Sequence, residues 1–208
     1  MKPTTKTRVT PQDVLEQLLS SGIVSCFRAA QLEDAGLTRN HLRDLLQSGC
    51  VERLGRGLYR VTCADVTENY SIAMACARVP NSVVCLLSAL RIHGIGTKAP
   101  DAVWLAVPHK AHKPNMRELK LRVVRFSGAA WTYSVKDTEF EGVPARITSP
   151  SRTVADCFRF EHLIGPKVAM AALLDGLSQR KVTIAELSRI IEIRPSRRLI
   201  AALDVLSI

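Results

Sequence analysis

Thr38-Arg39-Asn40-His41-Leu42-Arg43-Asp44-Leu45-Leu46-Gln47-Ser48-Gly49, followed at once by Cys50-Val51-Glu52-Arg53-Leu54-Gly55-Arg56-Gly57-Leu58-Tyr59-Arg60-Val61, decides how the chain is read. In the first half, Leu42, Leu45 and Leu46 form an apolar stripe at helical spacing. Thr38 is a good N-cap and Gly49 a stop, so the pattern predicts a helix over 39–47. In the second half, two short β-prone runs flank Gly55-Arg56-Gly57, which predicts a hairpin. Upstream, Thr10 caps a helix that has Pro11 at its first position and Asp13 three residues after the cap. Val14, Leu15, Leu18 and Leu19 give that helix an apolar face, and Gly22 ends it. Ser25 is read as the cap of another helix, from Cys26 to about Ala35, with Phe27, Ala30 and Leu32 inward and Gly36-Leu37 as the following turn. Three helices and then a hairpin make the plan of a winged helix-turn-helix.

Downstream the pattern becomes mixed. Val66–Ala77 and Ser82–Ile92 read as helices, Val103–Val107 as a buried strand ending at Pro108, and Leu119–Phe126 as a second strand. Thr138–Glu141 and Val143–Thr148 form a hairpin through Gly142. Ser149 caps a helix opening at Pro150, and helices at Pro166–Ser178, Ile184–Ile191 and Pro195–Leu206 complete the chain. The expected fold class is α+β: an N-terminal winged helix-turn-helix, then a mixed α+β domain with a small sheet flanked by helices. The expected divisions are a flexible arm over 1–9, a DNA-binding domain over 10–62, a linker near Thr62–Asp65 and a second domain over 66–208.

The chain has 208 residues, 47% of them hydrophobic, and a formal net charge of +10. That is enough apolar material for a packed core, and the charge favours a polyanionic partner such as nucleic acid. Residues 1–62 hold nine basic and six acidic side chains, and residues 98–127 hold seven and two, so the excess sits in those two stretches. The six cysteines include no CxxC pair. Reduced and mostly buried thiols are expected, rather than a zinc knuckle or a disulfide framework. Met1–Val9 has no apolar core for a signal peptide, and no apolar run approaches the length of a membrane span. A cytoplasmic location without membrane contact is expected.

A recognition helix presents its N-terminal residues to base edges in the major groove. Arg39, Asn40 and Arg43 suit that task, because Arg pairs bidentately with guanine and Asn with adenine. Thr38 and His41 lie beside them as backbone contacts. Arg53, Arg56 and Arg60 sit on or next to the hairpin, with Arg56 at its tip, and Arg28 opens the second helix; all four are expected to hold phosphate. In the second domain Pro108-His109-Lys110-Ala111-His112-Lys113-Pro114 is a basic loop with a proline at each end. A phosphate-binding role is expected there through Lys110, Lys113, Arg117, Arg122 and Arg125. The plainer reading of all these groups is a solvated basic surface, and helix-turn-helix folds also serve as protein-docking adaptors.

The chain resembles the AbiEi-type antitoxins and transcriptional regulators. The resemblance rests on Phe27-Arg28-Ala29-Ala30 through Ala35-Gly36-Leu37-Thr38, then Leu54-Gly55-Arg56-Gly57-Leu58-Tyr59. It continues through Leu87-Ser88-Ala89-Leu90 with Gly94, Val103-Trp104-Leu105-Ala106-Val107-Pro108 and Val124-Arg125-Phe126-Ser127. Val143-Pro144-Ala145-Arg146-Ile147-Thr148-Ser149-Pro150 and Arg152-Thr153-Val154-Ala155-Asp156-Cys157 complete it. The resemblance implies an autorepressor that binds inverted repeats in its own promoter and acts as antitoxin in a type IV toxin–antitoxin pair linked to abortive phage infection. It implies a nucleotidyltransferase-like toxin as functional partner, opposed without a stable complex, and a monomer or weak dimer on DNA.

The competing reading is enzymatic. Pro100-Asp101 before one strand and Glu118-Leu119-Lys120 before the next follow the order of a PD…ExK nuclease, in which two carboxylates hold Mg²⁺. The plainer alternative makes Asp101 a turn residue and Glu118 and Lys120 solvent-facing strand ends. His93, His109, His112 and His162 point to no shared metal site. Ser88, Ser149 and Ser151 lack a histidine partner for a hydrolase triad. No catalytic residue, metal or cofactor is therefore expected. Arg152 and Asp156, four apart on one helix, are expected to pair. Trp104 is read as core, and Trp131-Thr132-Tyr133 as a contact surface or a lid over the core.

Overall fold

The computed structural model describes residues 10–23, 25–55, 57–64, 68–96, 98–112, 114, 116 and 119–206. The chain is mixed α+β and divides into two compact units, one of residues 1–78 with 139–144 and one of residues 79–138 with 145–208. The sequence set the division near residues 62–65. The helix over Tyr70–Arg78 nevertheless belongs to the first unit, because its buried face, Ile72–Ala77, finds its partners there.

The first unit opens with α1 (Pro11–Ser20). Its end is held by a capping box: Asp13 N–H donates to the Thr10 hydroxyl at 3.2 Å, and Thr10 N–H donates to the Asp13 carboxylate at 2.8 Å. The segment after it departs from expectation. Cys26–Arg28 is a strand, β1, and the helix α2 covers only Ala29–Asp34. Strand β1 pairs antiparallel with β3 (Leu58–Val61), setting Phe27 opposite Tyr59 with ring centroids 5.6 Å apart. Burial of Phe27 in this three-stranded sheet outweighs local helix preference. Ser25 is no cap; its hydroxyl donates to the Glu141 carboxylate. The remaining elements are α3 (Arg39–Gln47), β2 (Val51–Gly55) and α4 (Tyr70–Arg78). Strands β2 and β3 pair antiparallel, with a register shift between Arg53 and Gly55. Val14, Leu18, Phe27, Leu32, Leu42 and Leu45 meet in one core. This is the winged helix-turn-helix.

The second unit is built on a five-stranded sheet. Its strands are β4 (Val83–Val84), β5 (Val103–Pro108), β6 (Leu121–Phe126), β7 (Val135–Phe140) and β8 (Val143–Thr148), in the order β6-β5-β4-β8-β7, the turn end of β7 and β8 over 139–144 being counted with the first unit. Strand β4 corrects the expected helix over Ser82–Ile92. It lies between β5, antiparallel, and β8, parallel, so α5 begins only at Leu86 and runs to His93. Helix α6 (Pro150–Arg159) is buried along every residue from Ser151 to Phe158. Around it lie α7 (Glu161–Ile164), α8 (Pro166–Ser178), α9 (Ile184–Ile193) and α10 (Arg197–Leu206). Trp104 belongs to the core, while Trp131 and Tyr133, half-buried, lie over it.

His93, at the end of α5, sets a pH dependence for this unit. Its Nε2 donates to the Thr148 carbonyl at 2.7 Å, and burial lowers its pKa below the ordinary 6.5. The unfolded chain therefore takes up the proton more readily, and stability is lost as pH falls below about 6.5 towards the folded value. His93→Gln retains a donor but removes the titration. Melting followed between about pH 7 and 5 should show a shallower decline for the variant, and an unchanged slope would remove His93 as its source.

Candidate nucleic-acid interface

Helix α3 carries the groups expected to read bases. Leu42 and Leu45 point into the core, with His41 and Leu46 half-buried beside them. At about 100° per residue, this leaves Arg39, Arg43, Gln47, Asn40 and Asp44 on one continuous outward arc. Arg39, Asn40 and Arg43 are exposed, and none of their side chains bonds to another described residue. Thr38 and His41, expected as backbone contacts, instead lock the helix start. The Thr38 hydroxyl accepts from His41 N–H at 3.4 Å, and His41 Nδ1 accepts from Thr38 N–H at 3.3 Å. The fixed N-terminus orients the first turn, where Arg39 and Asn40 sit, with Arg43 one turn further on the same face.

The other cations of this unit are less free. Arg28 is the N-cap of α2. Its Nε donates to the Ala77 carbonyl, and burial, with Arg78 adding to it, pushes its pKa down. Arg60 Nη1 bonds to Glu52 at 3.1 Å on the neighbouring strand, and its guanidinium lies 5.3 Å from the Tyr70 ring centre. Its Nε is buried without a hydrogen-bond partner among the described residues. Arg53 is exposed and turns back to the Gly55 carbonyl at 3.2 Å. Arg56, at the expected wing tip, lies outside the described residues.

In the second unit Lys110 is exposed and makes no bond to a described residue. Arg122 lies 3.7 Å from Asp101 and over the Trp104 ring at 5.8 Å. Arg125 Nη1 donates to the carbonyls of Pro108, His109 and Ala111 at 3.3, 2.6 and 2.8 Å, which ties down the start of the basic loop. Lys113, Arg117 and Glu118 lie outside the described residues. Asp101, the first carboxylate of the nuclease pattern, bonds to Lys120 at 2.5 Å, and that hydrogen bond pulls its pKa below the usual range. Ser88 accepts from Trp104 N–H at 2.9 Å, Ser149 caps α6, and Ser151 donates to Glu186 at 2.5 Å.

Two family models match the chain. Residues 13–62 fit the model described as a transcriptional regulator, AbiEi antitoxin, and residues 82–208 fit that of the AbiEi antitoxin C-terminal domain. The chain belongs to the AbiEi antitoxin family. No curated protein matches it. Among solved structures, the RV2827C protein from Mycobacterium tuberculosis is similar at 20% identity and a TM-score of 0.49, over 90% of this chain and 67% of that one. Among the described residues, no helix of this AbiEi protein is long and apolar enough to cross a membrane.

The AbiEi C-terminal domain holds one constellation that local reading only half captured. Arg152 and Asp156 pair as expected, Nε to Oδ2 at 2.8 Å, with side chains 0% and 2% exposed. Arg152 also donates to the carbonyls of Tyr133 at 2.7 Å and Ala130 at 3.0 Å. Arg194, from the end of α9, reaches the other Asp156 oxygen at 2.6 Å, and both guanidiniums lie over the Phe126 ring. Burial pushes the Asp156 pKa up, and the two arginines oppose the rise. Asp156 inside the otherwise apolar stretch from Val154 to Phe158, with Arg152 four residues before it, was the available signal; nothing local marked Arg194.

Proposed function

We propose that this AbiEi-family protein is a cytoplasmic, sequence-specific DNA-binding autorepressor that also serves as antitoxin in a type IV pair. One observation carries the reading: Arg39, Asn40 and Arg43 project together, exposed and with side chains unpartnered among the described residues, from the N-terminal half of a capped helix in a winged fold. They read bases, while Arg53, Arg56 and Lys110 hold phosphate, and the operator is an inverted repeat in the protein's own promoter. Arg28 and Arg60, drawn onto Ala77 and onto Glu52 and Tyr70, contribute less. The domain limits are read as 10–62 for the DNA-binding part and 66–208 for the part that opposes a nucleotidyltransferase-like toxin, without a stable complex. The protein acts as a monomer or weak dimer on DNA.

The second unit is read as non-enzymatic. Asp101 is exposed and pairs with Lys120 at 2.5 Å, and Glu118, the second carboxylate of the nuclease pattern, lies outside the described residues. Fluorescence anisotropy with the promoter fragment and a shuffled duplex, from about 50 to 200 mM salt, tests the proposal. The promoter should bind more tightly by at least about 10³-fold, with affinity falling steeply in salt. Equal affinity for both duplexes, or none, overturns it in favour of a protein-docking adaptor.

A further inference from the structure

We propose that a cleft in the second unit, between the end of β6 and the ends of α6 and α9, binds a phosphomonoester group carried by a small molecule of mononucleotide size. The cleft encloses about 320 Å³ and is lined by Arg125, Ser127, Arg159, Phe160, Ile193 and Arg194, among others. That volume stands at the lower end of small-ligand sites, which run from about 300 to 1,000 Å³. Three arginines line it and no acidic residue does.

The strongest argument is the charge beneath it. Asp156 is shared by two guanidiniums, so the buried cluster of Arg152, Asp156 and Arg194 carries a surplus positive charge. A surplus buried charge is costly unless an anion faces it. Arg152 is fully enclosed, whereas the Arg194 side chain is 12% exposed and borders the cleft, so the surplus is available there. Burial holds Arg194 below its ordinary pKa, opposed by Asp156 but reinforced by Arg152 and Arg159, and an anion would relieve that strain.

The remaining walls fit the same ligand. Arg125 is held by three carbonyls, so its guanidinium is oriented in advance. Arg159 is exposed with no bond to a described residue, and the Ser127 hydroxyl is likewise unbonded. Phe160, half-buried and 6.3 Å from the Phe126 ring, supplies with Ile193 an apolar wall for a flat ring. A duplex presents its phosphates along a convex backbone, whereas a recess with one aromatic wall suits a free phosphomonoester attached to a base.

Isothermal titration of the full chain with the four ribonucleoside 5′-monophosphates, their nucleosides and inorganic phosphate tests this. At least one monophosphate should bind saturably at one per chain, phosphate should compete for it more weakly, and the nucleosides should not bind. Arg159→Ala should melt as the parent does and weaken binding at least tenfold, while leaving promoter affinity unchanged. Ser127→Ala, with no internal bond to lose, provides a second variant with a smaller effect in the same direction. No saturable binding up to millimolar concentration overturns the proposal, as does binding indifferent to Arg159→Ala. Displacement of the nucleotide by duplex DNA, with duplex binding equally weakened in Arg159→Ala, also overturns it by giving the cleft to the DNA backbone. The cleft does not rest on the repressor reading, so either can fail alone.

Discussion

Asp156→Ala is expected to destabilise the second unit by about 3–5 kcal/mol, the usual cost of leaving a buried ion pair half-broken. Asp156 is 2% exposed and accepts from Arg152 at 2.8 Å and from Arg194 at 2.6 Å. Its removal leaves two guanidiniums side by side over Phe126, Arg152 fully enclosed and Arg194 only 12% exposed. Arg152 would keep the carbonyls of Tyr133 and Ala130, but its charge would stand uncompensated. A domain of this size has only about 5–15 kcal/mol in hand, so the loss is a large share of the total. Both tryptophans of the chain, Trp104 and Trp131, lie in this unit. Urea unfolding followed by intrinsic fluorescence therefore reports it selectively. Asp156→Asn keeps the shape and one acceptor but not the charge, and should fall between parent and Ala variant. A loss under about 1 kcal/mol for Asp156→Ala would mean that the carboxylate contributes little net stability, as an apolar replacement of the whole cluster would.

The second large effect is expected at the surface of α3. Arg39→Ala combined with Arg43→Ala should weaken promoter binding by about 2–4 kcal/mol, roughly 30- to 1,000-fold, since a bidentate Arg–guanine pair contributes about 1–3 kcal/mol. The two positions share one face, so their effects need not add. Stability should not change, because neither side chain bonds to a described residue and the cap through Thr38 and His41 is intact. This separates a reading role from a structural one. Asn40→Ala alone should relax the preference for one base pair with a smaller loss. Unchanged affinity and an unchanged footprint for the double variant would remove α3 from the DNA surface.

Short-range chemistry was written in the sequence. Thr10 with Asp13, Thr38 with its helix, Ser149 before Pro150 and the leucine stripe of α3 each act within a few residues, so spacing alone revealed them. The same holds for the hairpin of β2 and β3, for α8 and for the pair Arg152 and Asp156. The exposed arc of Arg39, Asn40 and Arg43 follows from that stripe, because a helix that buries Leu42 and Leu45 must turn those three outward. Tertiary structure decided what depends on distant partners. Cys26–Arg28 became a strand because Tyr59 was there to stack on Phe27, and Val83–Val84 became one because β5 and β8 flank it. Arg60 was drawn onto Glu52 and Tyr70, and Arg28 onto Ala77, by neighbours that only folding supplies. Arg194 reached Asp156 across 38 residues of chain. A cap or a periodic stripe has its energy within one or two turns, whereas a strand or a buried charge is stable only where the folded chain brings its partner.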